Sequence, residues 1–426
     1  MFLPKARARS FMPTNPVNQP MNHPSTKVSR VRIGVIGCGV RISGVVKRLM
    51  QESPEITLTA VHDPDAAAVD RFRNELAPDV AVCASVEELC SRGDVDWVFI
   101  GSFNCQHAAH TIAAFQGGKH VFCEKPLALN FEEAAAMQQA QAKSGGHFAL
   151  GLVLRYSPLY RKVRALLDEG QIGSLLSFEF NETLVFNHGG YIHGNWRRNR
   201  ALAGTHLLEK CCHDIDLALW IVGDLPVRTA SFGGCSFFRP ENAFHADRIG
   251  PNPKGLPAYK AWPDPHGISP FNDDKSIVDH QVAILEFAHG VRATFHTNCH
   301  AAIPERRFYL LGTEGSLRVD AYTGVIELRR VGWDEPRIIH QPVEGDSHAG
   351  GDEMMTSELV QVLAGNQPPA AGFVEGLRSL TTAHAIDTAM ESGTVVDLRA
   401  SWLKVAEIFG DQVAGEVAKT SLPLAR

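Results

Sequence analysis

The sequence predicts an α/β domain with a doubly wound parallel sheet, followed by an α+β domain with a large, mostly antiparallel sheet. Up to about residue 150, short apolar runs alternate with helical segments, which is typical of parallel strands joined by helical crossovers. Beyond that point, longer alternating strands are joined by tight turns, as in hairpins. A single core rarely exceeds ~250–300 residues, so a chain of 426 residues needs more than one domain.

Changes in composition and hydrophobic pattern along the chain predict three segments. Residues 1–29 are expected to be a disordered tail, residues 30–150 the parallel-sheet domain and residues 151–426 the α+β domain. The tail is rich in proline and has no apolar run of the kind that a signal peptide contains. Nine cysteines without any C-x-x-C spacing suit reduced thiols, which predicts a cytoplasmic protein.

The first domain is predicted to contain short strands buried on both faces. Their length and β-branched content are typical of a parallel sheet. Five of them are Val31–Ile36, Thr57–Val61, Val80–Cys83, Val95–Ile100 and His120–Cys123. Asn130 and Glu133 have the spacing of a capping box, which predicts a helix over residues 131–143.

The second domain is predicted to contain two hairpins and a long terminal helix. The hairpins pair residues 282–287 with 291–297, and 308–311 with 317–319. A helix over residues 374–391 is expected to end at Gly393, before a last short strand.

One stretch, residues 238–272, resists assignment to helix or strand because it holds seven of the 24 prolines. Loops of that length are usually binding loops or lids. We therefore expect a lid-like loop there.

Charge and hydropathy exclude two classes of partner. With 41 basic and 47 acidic side chains, the net charge is −6, which disfavours a nucleic acid because phosphate binding needs a basic surface. No stretch supplies the ~20 unbroken apolar residues of a membrane span. We expect neither nucleic acid nor membrane as a partner.

A glycine-rich turn follows the first predicted strand. Gly37 permits a tight turn, and Gly39 allows close approach of a pyrophosphate to the backbone at a helix N-terminus. The third glycine of the G-x-G-x-x-G pattern is replaced by Ile42, and Gly44 is a candidate for a shifted substitute. The position of this turn predicts a dinucleotide site, whereas the turn alone would be a weak signal.

Asp63 follows the second strand, 26 residues after Gly37. A carboxylate at this position accepts hydrogen bonds from both ribose hydroxyls and repels a 2′-phosphate. This predicts NAD as cofactor, with NADP as the alternative. Asp63 is also suited to cap the helix that follows it, and the sequence leaves that interpretation open.

Two further groups carry side chains suited to proton transfer. Glu124 and Lys125 end the fifth strand, where a parallel sheet binds its ligands. If their segment is α-helical, Glu209, His213 and Asp216 share one face, so that a carboxylate can orient the imidazole of His213. The alternative is a hydrogen-bonded core histidine.

Cys211, Cys212 and His213 also raise the question of a zinc site. Adjacent cysteines on a helix do not point at one metal, and no second ligand pair stands nearby. We therefore expect no metal.

These elements, in this order, resemble the glucose-fructose oxidoreductase and inositol dehydrogenase family, Gfo/Idh/MocA. Glu124-Lys125-Pro126 matches the Glu-Lys-Pro signature of that family, and residues 102–107 and 118–121 are similar to its cofactor-side turn and following strand. Residues 209–216 match its Asp-x-x-x-His-x-x-Asp pattern with Glu209 in place of the first aspartate. Gly312-Thr-Glu-Gly315 is similar to a turn of the second domain.

The resemblance implies an oxidoreductase that acts on a secondary hydroxyl or keto group of a sugar, cyclitol or sugar derivative. Lys125 would hydrogen-bond the reacting hydroxyl and His213 would be the general base, while Glu209 would contact the substrate or orient His213. A homodimer or homotetramer formed through the second-domain sheet is also implied. The predicted cofactor-binding residues are Gly37, Gly39, Val40, Arg41, Ile42, Asp63, Ser102, Asn104, His107, Glu124 and Lys125.

Substrate contacts are predicted from polar and aromatic residues after the sixth strand and in the following segment. The predicted set is Arg155, Tyr156, Trp196, Arg197 and Asp216. Arg197, Arg198 and Arg200 are equally suited to a carboxylate or phosphate, so a sugar acid or sugar phosphate stays an alternative. Two alternative functions are a redox-neutral, NAD-dependent enzyme that cleaves glycosides and a sugar or dinucleotide sensor without catalysis.

Overall fold

The computed structural model describes residues 30–262, 264, 266–340 and 348–414, so the predicted tail over residues 1–29 lies outside the described residues. The first part of the chain alternates strands and helices. Its strands are β1 (Val31–Ile36), β2 (Ile56–His62), β3 (Ala81–Val82), β4 (Trp97–Ile100), β5 (His120–Cys123) and β6 (Phe148–Leu150). Its helices are α1 (Val40–Glu52), α2 (Ala66–Leu76), α3 (Val86–Ser91), α4 (His107–Gln116) and α5 (Phe131–Ser144).

These six strands form one parallel sheet in the order β3-β2-β1-β4-β5-β6. The order reverses between β1 and β4, so the loops after these strands open a crevice at the carboxyl edge, where such sheets bind ligands. The prediction of a doubly wound parallel sheet is confirmed. The capping box is also present, since the Asn130 side chain accepts a hydrogen bond from the Glu133 backbone N–H at 2.9 Å.

The second part of the chain contains nine strands and nine α-helices within the described residues. The strands are β7 (Leu175–Val185), β8 (Pro226–Gly234), β9 (His280–Phe287), β10 (Arg292–Ala301), β11 (Arg307–Gly312), β12 (Gly315–Asp320), β13 (Val325–Arg330), β14 (Arg337–His340) and β15 (Val396–Asp397). The helices are α6 (Pro158–Asp168), α7 (Phe186–Gly194), α8 (Arg200–Ala203), α9 (Cys212–Val222), α10 (Phe244–Ile249), α11 (Gly351–Leu363), α12 (Phe373–Ser392), α13 (Arg399–Phe409) and α14 (Asp411–Ala414).

The nine strands form a single sheet in the order β14-β13-β12-β11-β7-β10-β9-β8-β15. Only β7 and β10 pair in parallel among these neighbours, so the sheet is mostly antiparallel as predicted. Both predicted hairpins are confirmed as β9–β10 and β11–β12. The predicted terminal helix is α12, which ends at Gly393 in the left-handed conformation.

Two helices of the second part hold the first sheet in place. Helix α11 packs against α1, and α12 packs against α5, β6 and α9. The buried apolar residues of both sheets form one continuous cluster. The crevice of the first sheet therefore faces a fixed wall from the second part of the chain. Within the described ranges, no helix has both the length and the apolar composition that a membrane crossing requires.

The proline-rich segment that was predicted as a lid-like loop packs around a small core of its own. Phe238 and Tyr259 are fully buried there, and the segment contains the short helix α10. The cluster consists of Leu184, Ile192, Phe238, Tyr259, Phe271, Ile277 and Cys299. Closure of this segment over a ligand stays a prediction.

The carboxylate of Asp279 anchors the start of this segment. Its oxygens accept backbone N–H groups from Ser236 at 3.1 Å, Phe237 at 2.7 Å and Phe238 at 2.9 Å. Burial raises the pKa of Asp279, but the hydrogen bonds from His280 and from the backbone outweigh it and lower the pKa. The ionised carboxylate is thus the acceptor that these donors require.

We expect Asp279→Asn to lower the free energy of unfolding by about 1–3 kcal/mol, because a buried amide N–H₂ would replace an acceptor. Urea unfolding would measure this, and limited proteolysis would show earlier cleavage within residues 238–272. Asp273→Asn is the matched control, since Asp273 is exposed. Equal unfolding midpoints for the two variants would show that Asp279 is not an anchor.

Candidate active site

The turn between β1 and α1 has the geometry of a phosphate cradle. Gly37 has a φ of +88°, and a Cβ there would lie 2.5 Å from the Ser102 backbone nitrogen, so only glycine fits. Gly39 precedes the first residue of α1 and gives the helix no side-chain cap. The first-turn N–H groups of α1 thus remain available to an anion at the positive end of the helix dipole.

Unlike Gly37, Gly39 is not required by a steric clash, and the lack of a side chain there leaves empty space. A Cβ at Gly39 would meet only the Gly101 oxygen, at an ordinary 3.8 Å. Neither packing nor a positive φ requires glycine at this position, so the space that a Cβ would fill suits a bound pyrophosphate. Val40, the next residue, is 71% exposed at the rim of this space.

The expectation that Gly44 substitutes for the missing third glycine is wrong. A Cβ at Gly44 would have no neighbour within 4 Å. Gly101, at the end of β4, provides the close packing instead, because a Cβ there would lie 2.6 Å from the Ile42 Cβ. The bulk of Ile42 is thus accommodated by a glycine on the neighbouring strand.

The sequence left two roles open for Asp63, ribose binding and capping of the following helix, and the capping role belongs to Asp65. Asp63 Oδ2 accepts the Cys38 backbone N–H at 2.7 Å, and its Oδ1 accepts the Asp65 N–H at 2.8 Å. Asp65, not Asp63, caps α2 by accepting from the Ala67 N–H at 2.9 Å. Asp63 thus stands beside the glycine turn, and its contact with a ribose stays a prediction.

Three predicted cofactor residues line the loop after β4. The Asn104 side chain donates to the Ala203 carbonyl at 2.8 Å, and the Ser102 hydroxyl bonds His110 Nδ1 at 2.9 Å. His107 is buried with Nδ1 at 2.8 Å from the Pro126 carbonyl, and its burial lowers its pKa. The protein already engages all three side chains, and His107 alone among them holds the segment that carries Lys125, through the Pro126 carbonyl.

Lys125 and Glu209 are brought together from the two parts of the chain. Lys125 Nζ donates to the Glu209 carbonyl and lies 3.4 Å from Glu209 Oε1. The same Oε1 accepts from Arg197 Nε at 2.9 Å. Burial raises the pKa of Glu209, but Lys125 and Arg197 outweigh it and hold the pKa well below its usual range. Glu209 is therefore an ionised clamp between two cations.

His213 is buried, and its Nδ1 has no hydrogen-bond partner among the described residues. Burial lowers its pKa well below the ordinary value, and the Lys125 ammonium and His348 lower it further. The imidazole is thus neutral at pH 7, which is the form that accepts a proton.

The predicted helical face of Glu209, His213 and Asp216 is interrupted. Residues Leu207–Cys211 form a π-helical turn, and regular α-helix begins only at Cys212. The prediction that a carboxylate on this face orients His213 is wrong, because Glu209 pairs with Lys125 and Asp216 pairs with Arg155. π-turns inserted in helices often lie at functional sites.

Arg155, Tyr156 and Asp216 were predicted to contact substrate. Arg155 and Asp216 form a bidentate ion pair with N–O distances of 2.7 and 2.9 Å. Tyr156 is fully buried, and burial raises its pKa to about 12. These three side chains are engaged in the protein interior, so they are not part of the substrate site proposed below.

A histidine–aspartate pair that the sequence did not indicate lies near His213, with the ring centroids of His213 and His348 6.2 Å apart. His348 Nδ1 is 2.7 Å from Asp352 Oδ2 at the start of α11. Asp352 also accepts a hydrogen bond from Arg41, whose Nε donates to Glu124 Oε1 at 3.0 Å. This chain of contacts links the cradle helix to the wall formed by the second part. The only sequence signal was the His-x-x-x-Asp spacing of residues 348–352.

Aromatic side chains form a second wall of the site; the sequence pointed to the segment 191–198, which holds Tyr191 and Trp196, but not to Trp262. The Arg197 guanidinium lies 4.5 Å from the centre of the Trp196 ring and 5.5 Å from that of Tyr191. Trp262, which is 44% exposed, contacts the rings of Tyr191 and His188 edge to face at 5.0 and 4.9 Å. Trp262 comes from segment 238–272, so that segment contributes to the wall.

The described part of the chain holds no group of three or more His, Cys, Asp or Glu side chains arranged to bind a metal ion. Of the residues considered for zinc, Cys211 contacts His206 and Thr297 instead, with Sγ at 3.7 and 3.4 Å from Nε2 and Oγ1.

A cradle at the reversal point of a doubly wound sheet, with an ionisable cluster beyond the strand ends, defines a dinucleotide-binding oxidoreductase. Comparison with protein families agrees. Residues 31–152 match the NAD-binding Rossmann fold of the Gfo/Idh/MocA oxidoreductase family, and residues 164–398 match the C-terminal alpha/beta domain of the same family. The chain belongs to this family, which confirms the resemblance and the NAD-binding domain.

Individual relatives are distant. The 2,7-anhydro-N-acetylneuraminate hydratase of Escherichia coli (strain K12) is 27% identical over 338 residues, or 79% of this chain and 80% of the hydratase. The 1,5-anhydro-D-fructose reductase of Ensifer adhaerens is 27% identical over 323 residues, or 74% and 83% of the two chains. A levoglucosan dehydrogenase solved with NADH and levoglucosan shares the fold, with a TM-score of 0.71, 18% identity and coverage of 86% and 99%.

Three glycine variants test the cradle. We expect Gly39→Ala to fold normally but to bind NAD at least about tenfold more weakly, about 1.4 kcal/mol, because its Cβ would fill the cradle. Gly37→Ala should lower stability as well as NAD affinity, because alanine at its positive φ alone costs ~1–2 kcal/mol. Gly44→Ala is the control and should raise the free energy of unfolding by up to about 1 kcal/mol without changing NAD affinity.

Isothermal titration calorimetry with NAD and urea unfolding would provide both readouts for each variant. Wild-type NAD affinity in Gly39→Ala would place the pyrophosphate elsewhere.

Proposed function

We propose that this protein is an NAD-dependent dehydrogenase that acts on a secondary hydroxyl of a neutral sugar, cyclitol or sugar derivative, with NADP as the alternative cofactor. The observation that carries the proposal is the cluster beyond the strand ends of the first sheet, where Lys125 pairs with Glu209 and the buried His213 imidazole feels the charges of both Lys125 and Arg41. Relatives named as a fructose-derivative reductase and a levoglucosan dehydrogenase support this class of substrate.

The side chains divide the proton chemistry between them. The Lys125 ammonium donates a hydrogen bond to the substrate hydroxyl, and the His213 imidazole accepts its proton. NAD, when bound, supplies the acceptor for the hydride that leaves the same carbon. Glu209 holds Lys125 and Arg197 and thereby acts as a positioning residue. No catalytic metal is needed in this division of roles.

Charge pairing favours a neutral substrate over the sugar acid or sugar phosphate left open by the sequence. Arg197 pairs with Glu209 and Arg198 with Asp274. Arg200 pairs with Glu391, and Lys210 with Glu182 at 3.3 Å. An anionic substrate would have to compete with a carboxylate for each of these cations. The aromatic wall at Trp196 and Trp262 offers apolar surface to a sugar ring instead.

A second candidate function is a redox-neutral reaction in which NAD is reduced and reoxidised within one turnover. The similarity to a 2,7-anhydro-N-acetylneuraminate hydratase favours it, because that name describes a reaction without net oxidation. Both candidates use the same base at His213. They differ in whether free NADH appears.

We further propose that the open face of the nine-stranded sheet joins copies of this chain in a homodimer or homotetramer. Phe232 on β8 and Val282 and Ile284 on β9 are exposed on this face. Contiguous exposed apolar side chains on a sheet are typical of association surfaces.

We expect His213→Ala to slow turnover by ~10²–10⁴-fold while leaving NAD affinity almost unchanged, because a positioned base acts only on the chemical step. Steady-state kinetics and calorimetric titration with NAD would measure the two quantities. Loss of NAD affinity in this variant would remove His213 from the role of base.

A panel of neutral polyols and sugars, matched with the corresponding sugar acids, tests the substrate class. We expect free NADH to accumulate with neutral members and NAD to be consumed in proportion to product. Conversion of substrate without net consumption of NAD would support the redox-neutral alternative. A preference for the acids would contradict the argument from charge pairing, and no turnover with any member would contradict the proposed dehydrogenase.

A further inference from the structure

A half-buried imidazole on α7, that of His188, is left without a hydrogen bond. Within the described residues, neither of its ring nitrogens has a partner. Polar side-chain atoms that leave bulk water usually find a partner in the protein or in an ordered water molecule. The ring nitrogens of His188 are therefore free to bind a ligand.

Close packing behind α7 fixes the position of this imidazole. A Cβ on Gly189 would collide with the Cys299 carbonyl oxygen, because α7 packs closely against β10. A Cβ on Gly190 would collide in the same way with a backbone carbonyl of segment 238–272. The two glycines thus hold the helix close to both elements, and His188, the residue before them, is carried on a fixed support.

The imidazole lies against the aromatic wall. Its ring contacts Trp262 edge to face, with ring centroids 4.9 Å apart, and the Tyr191 ring contacts Trp262 at 5.0 Å. The Tyr191 hydroxyl accepts a hydrogen bond from Arg197 Nη1 at 3.3 Å. Arg197 Nε in turn donates to Glu209 Oε1 at 2.9 Å. A series of direct contacts thus joins His188 to the carboxylate of the proton-transfer cluster.

The charged groups of the proposed site act on His188 as well. Burial lowers its pKa well below the usual range, and three nearby cations lower it further against the opposing effect of Glu209. The cations are Lys210, Arg197 and Lys125. The imidazole is therefore neutral at pH 7, with one nitrogen that donates a hydrogen bond and one that accepts. This pair of functions matches a hydroxyl group, which also donates and accepts.

From this geometry we infer that His188, in contact with Trp262, hydrogen-bonds a hydroxyl of the sugar other than the reacting one and so determines which neutral sugars the site accepts. The inference rests on the proposed function, in which Lys125 and His213 already account for the reacting hydroxyl. The neighbouring cations are paired with carboxylates, whereas His188 offers a donor and an acceptor that no described residue uses. The Trp262 ring beside it offers apolar surface to the sugar ring.

Loss of the imidazole should weaken substrate binding rather than the chemical step. The probes are neutral sugars and cyclitols that include D-glucose and myo-inositol, each with its monodeoxy analogues. For each probe that the wild type oxidises, we expect His188→Leu to raise KM about tenfold, the loss of one hydrogen bond. The kcat should stay within about threefold of wild type. His188→Gln, which keeps a donor and an acceptor, should recover part of the loss.

The monodeoxy analogues identify the hydroxyl that His188 binds. With the wild type, one analogue should lose about tenfold in kcat/KM relative to its parent sugar. With His188→Leu, that analogue and its parent should react equally well, because the partner of the missing hydroxyl is gone. A residue with a purely structural role would not change the discrimination between the two.

His147→Leu is the matched control. His147 is an exposed histidine whose ring also lies near a tryptophan, Trp97, with ring centroids 6.4 Å apart, but it precedes β6 at the amino edge of the first sheet. Its KM values should equal those of the wild type. The unfolding midpoint and NAD affinity of His188→Leu should also be unchanged, because the His188 ring has no hydrogen bond to lose within the described residues.

Three results would overturn the inference while leaving the proposed dehydrogenase intact. The first is a wild-type KM in His188→Leu for every oxidised probe. The second is a fall in kcat of about a hundredfold or more with KM unchanged, which would make His188 a proton acceptor. The third is a raised KM with a lower unfolding midpoint and unchanged discrimination among the analogues. Absence of both binding and turnover of every neutral probe by the wild type would overturn the proposed function, and this inference with it.

Discussion

The guanidinium of Arg41 holds the parts of the site together. It lies in the first turn of α1 and contacts Glu124 at the end of β5 and Asp352 at the start of α11. These three elements carry the cradle, the Lys125 loop and the His348 segment. Both carboxylates are buried, so the loss of this cation would remove the ion pair of Glu124 and leave Asp352 with His348 and, at 4.0 Å, Arg48, which is destabilising. The glycine turn, the end of β5 and the start of α11 are therefore joined by one ion-pair network.

The same network sets the protonation states. Buried imidazoles lose their charge because no carboxylate compensates their desolvation fully, and the pKa values of His213, His348 and His188 are all lowered. The carboxylates of Glu209 and Asp352 keep their charge because each has cationic partners that outweigh burial and lower its pKa. Neutral imidazoles thus stand among fixed charges, and this arrangement keeps them in the unprotonated form near neutral pH.

Features that depend on neighbours in sequence were predictable. The glycine turn at Gly37, the strand before Lys125 and the capping box at Asn130 are local patterns, and the structure contains each of them. The prediction that Glu209 and His213 share one helical face was wrong, because a π-helical turn shifts Glu209 relative to His213. No helical periodicity signals such an insertion.

Contacts between distant residues were not predictable. Asp352 meets Arg41 across 311 positions of the chain, and nothing in the residues around Asp352 indicates that partner. The glycine that packs against Ile42 is Gly101, which directly follows β4, and the sequence pattern around Ile42 does not indicate it. Arg155 and Asp216 are residue types that are common in binding sites. Only the folded structure shows that they form an ion pair with each other.

Glu209, where the family pattern has aspartate, connects the chemistry to the substrate wall. Its Oε1 lies 3.4 Å from Lys125 Nζ and 2.9 Å from Arg197 Nε, and Arg197 in turn lies over the ring of Trp196. One carboxylate therefore fixes both the proposed hydroxyl donor and the cation that braces the aromatic surface. A shorter aspartate on the same backbone would draw its oxygens back by one methylene and would not span both cations. We therefore expect the glutamate to set the distance between the reacting hydroxyl and the surface on which the sugar ring rests.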